Sequence, residues 1–423
     1  MRCHFFAILI FIFQSVKSTE PNLNYTALDY TGGDAPSKII EIINSSSSTS
    51  FIVIQRNNFN FILINQFIVG ATFISNIHED EEDLSDELAF QAWPLQAAAL
   101  YAACKSFQPT YKAPQGPTRE AVIVPCQRPM KALLLGCGAG SIAGYLSRRK
   151  VTVDVVEYHS EIIDLAQRYG GLSNNGGGKI IIGDALSTLQ KGRMKIKRTR
   201  YNIIIHDLFD GSKKGAHLYH YDTFVLLKRQ WLMPKGILVI NLLGSHVADQ
   251  PTYPLLQYAV HSLRLLFATV RCYREIPLDI HPKQILNVAC YATNDPRGIT
   301  FTLPDTVAYA PGDEYPTSFG IRSFQQWEVM MEEKREEEKT EKECIVVVDG
   351  AEGTCLTYRS SGIAASSQSQ SLSPPPPLSF EIWEKIANDI HVAMEAHAVE
   401  LLGGQEMKEL VEEYRRYEIE LIV

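Results

Sequence analysis

KALLLGCGAGSIAGYLSRRK, residues 131–150, decides the fold. Ala132–Leu135 is a short apolar run with no polar residue inside it, the composition of a strand buried on both faces of a parallel sheet. Gly136-Cys137-Gly138-Ala139-Gly140 follows at once, and Ser141–Arg149 then has helical spacing, with Ile142, Tyr145 and Leu146 on one stripe. Strand, glycine turn and helix form a unit that cradles a nucleotide. Glycine lets backbone approach a ligand closely, and the first turn of a helix offers unpaired N–H groups. A dinucleotide fingerprint would carry its third glycine at position 141, where this chain has Ser141.

Downstream of this unit the pattern alternates. Val151–Glu157 reads as a second strand, Ser160–Tyr169 as a helix with Ile163 and Ala166 inward, Lys179–Ile182 as a third strand and Tyr201–His206 as a fourth. Asp222 is expected to cap a helix over Thr223–Met233, Pro234-Lys235-Gly236 to turn into strand Ile237–Leu243, and Thr252–Ala268 to form an amphipathic helix. Val270–Glu275 and Gln284–Ala292 complete the sheet. The expected fold is α/β: a doubly wound, seven-stranded, mostly parallel Rossmann-like sheet preceded by a small antiparallel sheet.

The remainder divides by composition. Met1–Ser18 has Arg2, an apolar run Phe5–Phe13 and small residues at Val16 and Ser18, the pattern of a signal peptide. Residues 19–50 read as a flexible lead-in, and 51–108 as two or three antiparallel strands followed by one buried helix over Ala89–Phe107. Residues 109–298 hold the α/β domain. Residues 299–378 form an irregular, charged and low-complexity insertion, with a solvated helix over Glu328–Glu343 and a disordered linker over Ser360–Leu378; residues 379–423 return to helical patterning. A signal peptide implies a secreted or ER-lumenal protein with no membrane span after its removal, or a cytoplasmic one if the N-terminus is not a signal. Asn24-Tyr25-Thr26 and Asn44-Ser45-Ser46 are then glycosylation sequons. The eight cysteines lack metal-like spacing; loss of Cys3 leaves seven, with Cys137 expected to be a free apolar filler and Cys344 and Cys355 able to pair. A net charge of −8 argues against nucleic acid as the main partner.

Chemistry concentrates after successive strands. Gly136, Gly138 and Gly140 form the turn; Glu157 ends the second strand, where an acid accepts hydrogen bonds from a ribose diol. Asp184 and Ala185 follow the third strand, with Asp184 placed to accept an adenine amino group. Asp207 and Asp210 follow the fourth, facing the crevice where strand order switches. Each acid alone is as well explained by a turn or a helix cap. A glycine turn after the first strand and acids after each of the next three, all in register, point to a nucleotide-bearing ligand.

Here the chain resembles the spermidine synthase superfamily, over about Phe51–Thr293. The glycine turn is similar to motif I of class I S-adenosylmethionine (SAM) methyltransferases. More specific are Asp86-Glu87-Leu88-Ala89-Phe90-Gln91, Asp207-Leu208-Phe209-Asp210-Gly211, His217-Leu218-Tyr219 and Leu226-Leu227-Lys228-Arg229 leading to Pro234-Lys235-Gly236. Within the superfamily the chain looks most like the spermidine-synthase-like methyltransferase half of the elongation factor 1-alpha methyltransferases. The resemblance implies SAM as cofactor, Asp207 and Asp210 as catalytic residues, and Gln91, His217 and Tyr219 near the acceptor. The acceptor would be an amine-bearing small molecule or a protein, and a homodimer is allowed for.

The departures choose among activities. True spermidine synthases carry an acid in the glycine turn that holds the bare ammonium of decarboxylated SAM; that position is Ala139 here. A buried ammonium without a partner is costly. Phe90 replaces their tyrosine and Ala92 their glutamate. Methyl transfer is therefore the expected reaction. Aminopropyl transfer from decarboxylated SAM, and an inactive secreted binding protein on the same fold, are the alternatives.

Overall fold

The computed structural model describes residues 37–74, 92–105, 126–302, 328–329 and 375–401, with short breaks inside these spans. Eleven strands form two sheets. Lys38–Asn44 (β1), Ser50–Arg56 (β2), Phe59–Ile64 (β3) and Phe67–Phe73 (β4) make a four-stranded antiparallel meander in sequence order. The lead-in expected to be flexible thus contributes a strand. KIIEIIN has the β-branched residues that fit a pleated surface, and β1 pairs with β2 along its length.

The second sheet comprises Met130–Leu135 (β5), Val151–Glu157 (β6), Ile180–Ile182 (β7), Tyr201–His206 (β8), Leu232–Gly244 (β9), Thr269–Arg274 (β10) and Leu286–Thr293 (β11). Their order is β10-β11-β9-β8-β5-β6-β7. Pairs among β5, β6, β7, β8 and β9 are parallel, and β11 runs antiparallel to both β9 and β10. The expected seven-stranded sheet is therefore present. Its order reverses at β5, which lies between β6 and β8, so a crevice opens above the carboxyl ends of β5 and β8.

Helices cover both faces. Ala92–Ala97 (α1), Ala99–Ala103 (α2) and Ser141–Arg148 (α3) lie over one face; Tyr253–Leu266 (α7) closes the other with Leu255, Leu256, Ala259 and Leu263 buried. Each such leucine contributes about 1.5–3 kcal/mol. The single helix expected over Ala89–Phe107 is two short ones, because the chain turns at Ala98. Asp222 does not cap a helix: Tyr221–Leu226 (α6) starts two residues earlier than expected, after His220, and the Asp222 side chain is exposed. That helix stops at Leu226 and continues as a wider turn over Leu227–Trp231.

Glu328 pairs in an antiparallel bridge with Tyr273 and forms an ion pair with Arg271, so the charged helix does not begin there. Phe380–Leu401 (α8) packs Trp383, Ile386, Ala387 and Ile390 into the core and touches β4. Among the described residues two cysteine pairs are bonded: Cys104 with Cys126, and Cys272 with Cys290, which stand opposite each other on β10 and β11. Cys137 is free and buried, as expected. The expected signal peptide, Cys344–Cys355, most of the insertion and the end of the C-terminal segment lie outside the described residues.

Candidate active site

The glycine turn is built for close approach. Gly136, Gly138 and Gly140 have φ of 87°, 53° and 74°, the left-handed region where a side chain strains. Space is also lacking: a Cβ at Gly136 would stand 2.1 Å from the Asp207 carbonyl oxygen, and one at Gly138 2.3 Å from that of Val69 on β4. The small sheet therefore leans on the turn. Ser141, first in α3 (Ser141–Arg148), donates its hydroxyl to the Ala71 carbonyl at 2.8 Å. The turn, Val69, Ser141, Ile142 and Asp207 line one pocket.

Glu157 is buried at the end of β6 and holds the turn from the side. Its Oε2 accepts the N–H of Cys137 at 2.8 Å and its Oε1 the N–H of His159 at 3.0 Å. Next to it, Tyr158 is 66% exposed and Ile182, paired with Glu157 across the sheet, is 57% exposed. Two large apolar side chains are thus left in water beside an acid and a glycine turn. Sequence reasoning missed both: Tyr158 follows a strand end between two polar residues, and Ile182 closes an ordinary apolar strand.

Asp184 is placed differently from expectation in one respect. Its Oδ1 accepts the N–H of Ser187 at 2.7 Å, capping Ala185–Gly192 (α5), whose first residue Ala185 is buried. The capping role and a place beside the cofactor pocket are compatible, since a carboxylate has further lone pairs.

Asp207 emerges from β8 (Tyr201–His206) at the crevice. Its Oδ2 accepts Nε2 of Gln96 on α1 at 3.0 Å, and its Oδ1 accepts Nδ2 of Asn241 on β9 at 2.9 Å. Burial pushes its carboxyl above the ordinary value, and these two donors pull it partly back. Gln96 and Asn241 were not foreseen. Their signal was a polar amide inside an apolar run, AWPLQAAAL in one case and GILVINLLG in the other.

His217 is exposed on a short 3-10 turn, Gly215–Tyr219. Tyr219 does not face outward: it is buried, packs against His206 and Trp383, and donates its hydroxyl to the Leu208 carbonyl at 2.8 Å. It thereby ties the end of β8 to the core. His206 is a core histidine, bonded through Nε2 to the Leu218 carbonyl at 3.0 Å and pushed down to about 4 by burial. Asp210 and Gln91 lie outside the described residues.

No family model matches the chain. Among curated proteins it is similar to an N-terminal histidine N-methyltransferase of Emericella nidulans, 27% identical over 176 residues, or 42% of this chain and 30% of that protein. The match thus spans under a third of that relative's length. Among solved structures it is similar to a spermidine synthase bound to the transition-state analogue AdoDATO, at 14% identity, covering 68% of this chain and 85% of that one, TM-score 0.45. It is also similar to a probable spermidine synthase from Corynebacterium glutamicum (15%, 61% and 80%, TM-score 0.45). Human methyltransferase-like protein 13 in complex with SAH is another (17%, 55% and 87%, TM-score 0.35). The fold itself is a Rossmann-like α/β fold, a seven-stranded, mostly parallel sheet with a separate antiparallel sheet of four strands.

The residues present fit SAM. Glycines without room for a Cβ would leave backbone as the surface for its amino-acid end, and the exposed Tyr158 and Ile182 would offer apolar cover, while Glu157, whose two oxygens accept backbone N–H groups, holds the turn beside them.

Proposed function

We propose that the chain is a SAM-dependent methyltransferase whose acceptor is an amine, in the first instance the N-terminal amino acid of a protein. The observation that carries this reading is the juxtaposition at the switch point. Asp207, held by two amide donors, lines the same pocket as the glycine turn. SAM supplies an electrophilic methyl group on a sulfonium that leaves readily. What the protein adds is positioning. Asp207 accepts an N–H of the incoming amine, orients its lone pair and takes its proton as the methyl–nitrogen bond forms. The named relative supports a histidine-terminated protein acceptor.

Aminopropyl transfer is the weaker reading. Ala139 is 3% exposed and no side-chain charge stands in the turn to hold a bare ammonium. Titration calorimetry with SAM, decarboxylated SAM and methylthioadenosine, followed by methyl transfer to peptides with an N-terminal histidine, tests the assignment. Tighter binding of SAM and a mass gain of one methyl group on the peptide are expected. Preference for decarboxylated SAM with transfer to putrescine would establish the alternative. Binding of none of the three would leave a binding protein on a retained fold.

We also infer a secreted or ER-lumenal location. Two bonded cysteine pairs support it, because disulfides persist in oxidising compartments. So does the exposed sequon residue Asn44.

A further inference from the structure

A row of hydrogen bonds runs sideways from Asp207 through three strands. Asn241 Nδ2 donates to Asp207 Oδ1 at 2.9 Å and to Asn287 Oδ1, on β11, at 2.9 Å. Asn287 in turn gives its backbone N–H to Glu275 Oε1 at 2.9 Å and its Nδ2 to Glu275 Oε2 at 3.0 Å. Both ends of the row are carboxylates, which when ionised only accept. Between them the amides have a single consistent orientation. Glu275 takes both donors of Asn287, so Asn287 turns its oxygen to Asn241. Asn241 then spends both hydrogens, one on Asn287 and one on Asp207. Its Oδ1, and Oε1 of Gln96, remain buried without a partner among the described residues, on either flank of Asp207.

We propose that Glu275 and Asn287 form a positioning relay that fixes the Asn241 amide, so that Asp207 is kept as an accepting carboxylate and the Gln96 and Asn241 oxygens stand ready for further N–H groups of the acceptor. The proposal rests on the reading of Asp207 as the acceptor-side group. It defines the acceptor chemically: an amine with two or more N–H bonds, since the two residues that donate to Asp207 each keep an unpartnered amide oxygen beside its carboxylate. A buried acceptor left unpaired destabilises the site, and an amine N–H relieves this. The groups acting on Asp207 are the amides of α1 and β9; Glu275 feels its Asn287 partner and the adjacent Arg274.

Glu275→Gln separates the relay from plain packing. The backbone N–H of Asn287 cannot turn, so the glutamine oxygen stays on it and the new NH2 faces the Asn287 side chain. Asn287 must flip, Asn241 must follow, and an amide oxygen is then turned toward Asp207. Asn287→Asp added to Glu275→Gln restores the original polarity with one carboxylate moved by one residue. The measurements are the Asp207 titration by carboxyl NMR, which needs no turnover, and the acidic limb of the pH–rate profile. In Glu275→Gln both are expected to move up by about one unit, with a roughly tenfold loss of rate below the limb, and the double variant is expected to recover at least half of each. An unmoved titration in folded Glu275→Gln, or a double variant further from wild type than the single, overturns the relay. If Glu275→Gln fails to fold, the double variant alone decides: a titration near the wild-type position supports the relay, and a displaced one refutes it. A Glu275→Gln variant that shows the shift, in a protein whose wild type binds no SAM, refutes the transferase reading and leaves the relay standing.

Discussion

A Cβ placed on Gly70 would stand 2.3 Å from the backbone nitrogen of Ala139, so β4 and the glycine turn meet backbone to backbone. The small sheet is therefore one wall of the pocket at the turn, and its fit depends on the absence of a side chain at residue 70. Gly70→Ala is expected to lower stability by about 1–3 kcal/mol, the cost of overpacking, and to weaken SAM binding as the wall is displaced. A variant with unchanged melting temperature and unchanged affinity would show that β4 and the turn move apart freely.

The same contact changes what Ala139→Asp should do. From the sequence alone, a carboxylate at residue 139 would simply attract the ammonium of decarboxylated SAM. In the structure Ala139 is 3% exposed and faces Gly70. The variant is expected to melt lower than wild type and, in the folded fraction, to shift donor preference toward decarboxylated SAM. Calorimetry below the melting transition reads the preference. Unaltered selectivity would place the donor's amino-acid end away from residue 139.

Glu157 makes a different kind of contact. Each of its oxygens accepts a backbone N–H, from Cys137 and from His159. Glu157→Gln turns one of these into a donor facing a donor and loosens the turn. A SAM affinity lower by at least tenfold, about 1.4 kcal/mol, is expected, with the circular dichroism spectrum retained. Equal affinity in the folded variant would remove Glu157 from the cofactor site.

These contacts explain what the sequence could and could not disclose. Strands β6 and β8 were legible to the residue, since a run such as YNIIIH has no other way to bury its side chains. The glycine turn and Asp207 were legible from spacing after strands. The wall formed by β4 was not: nothing local in FIVGATF says which surface Gly70 will meet. Nor was the polar row legible. Gln96, Asn241, Asn287 and Glu275 come from separate elements and are joined only by the sheet order. Tyr219 erred the other way, because a motif position was read as an acceptor contact while its ring has a core place beside Trp383.

The cysteine pair across β10 and β11 carries a prediction for both stability and compartment. Cys272 and Cys290 are separated by 18 residues in sequence, a loop whose closure is worth about 3 kcal/mol in chain entropy. Replacing both by serine is expected to lower the melting temperature of the oxidised protein and to leave that of the reduced protein nearly unchanged. Expressed in animal cells, the chain is expected to lose Met1–Ser18 and to gain glycan at Asn24 or Asn44. An intact N-terminus, no glycosidase shift and free thiols at Cys272 and Cys290 would place it in the cytosol.

Asp207 links stability to activity through a sign that can be checked. Burial raises its carboxyl above the unfolded value of 3.8. A group raised in this way favours the folded state below the unfolded value, and that contribution is lost as pH rises through the folded one. At neutral pH the ionised, buried carboxylate is therefore a burden on stability. Asp207→Asn removes the charge, and the site can receive the amide: its oxygen accepts from Asn241, while its NH2 meets Gln96, whose free Oε1 can turn to accept. Urea unfolding is expected to show the variant more stable than wild type at pH 7.5, with the two converging near pH 4. Methyl transfer should fall at least a hundredfold, because the group that takes the amine's proton is gone. SAM affinity should hold, since the glycine turn and Glu157 are untouched. A variant less stable than wild type at pH 7.5 would mean that the hydrogen bonds to the carboxylate outweigh its burial. Retained activity would move the proton acceptor elsewhere, with Asp210 the next residue to replace.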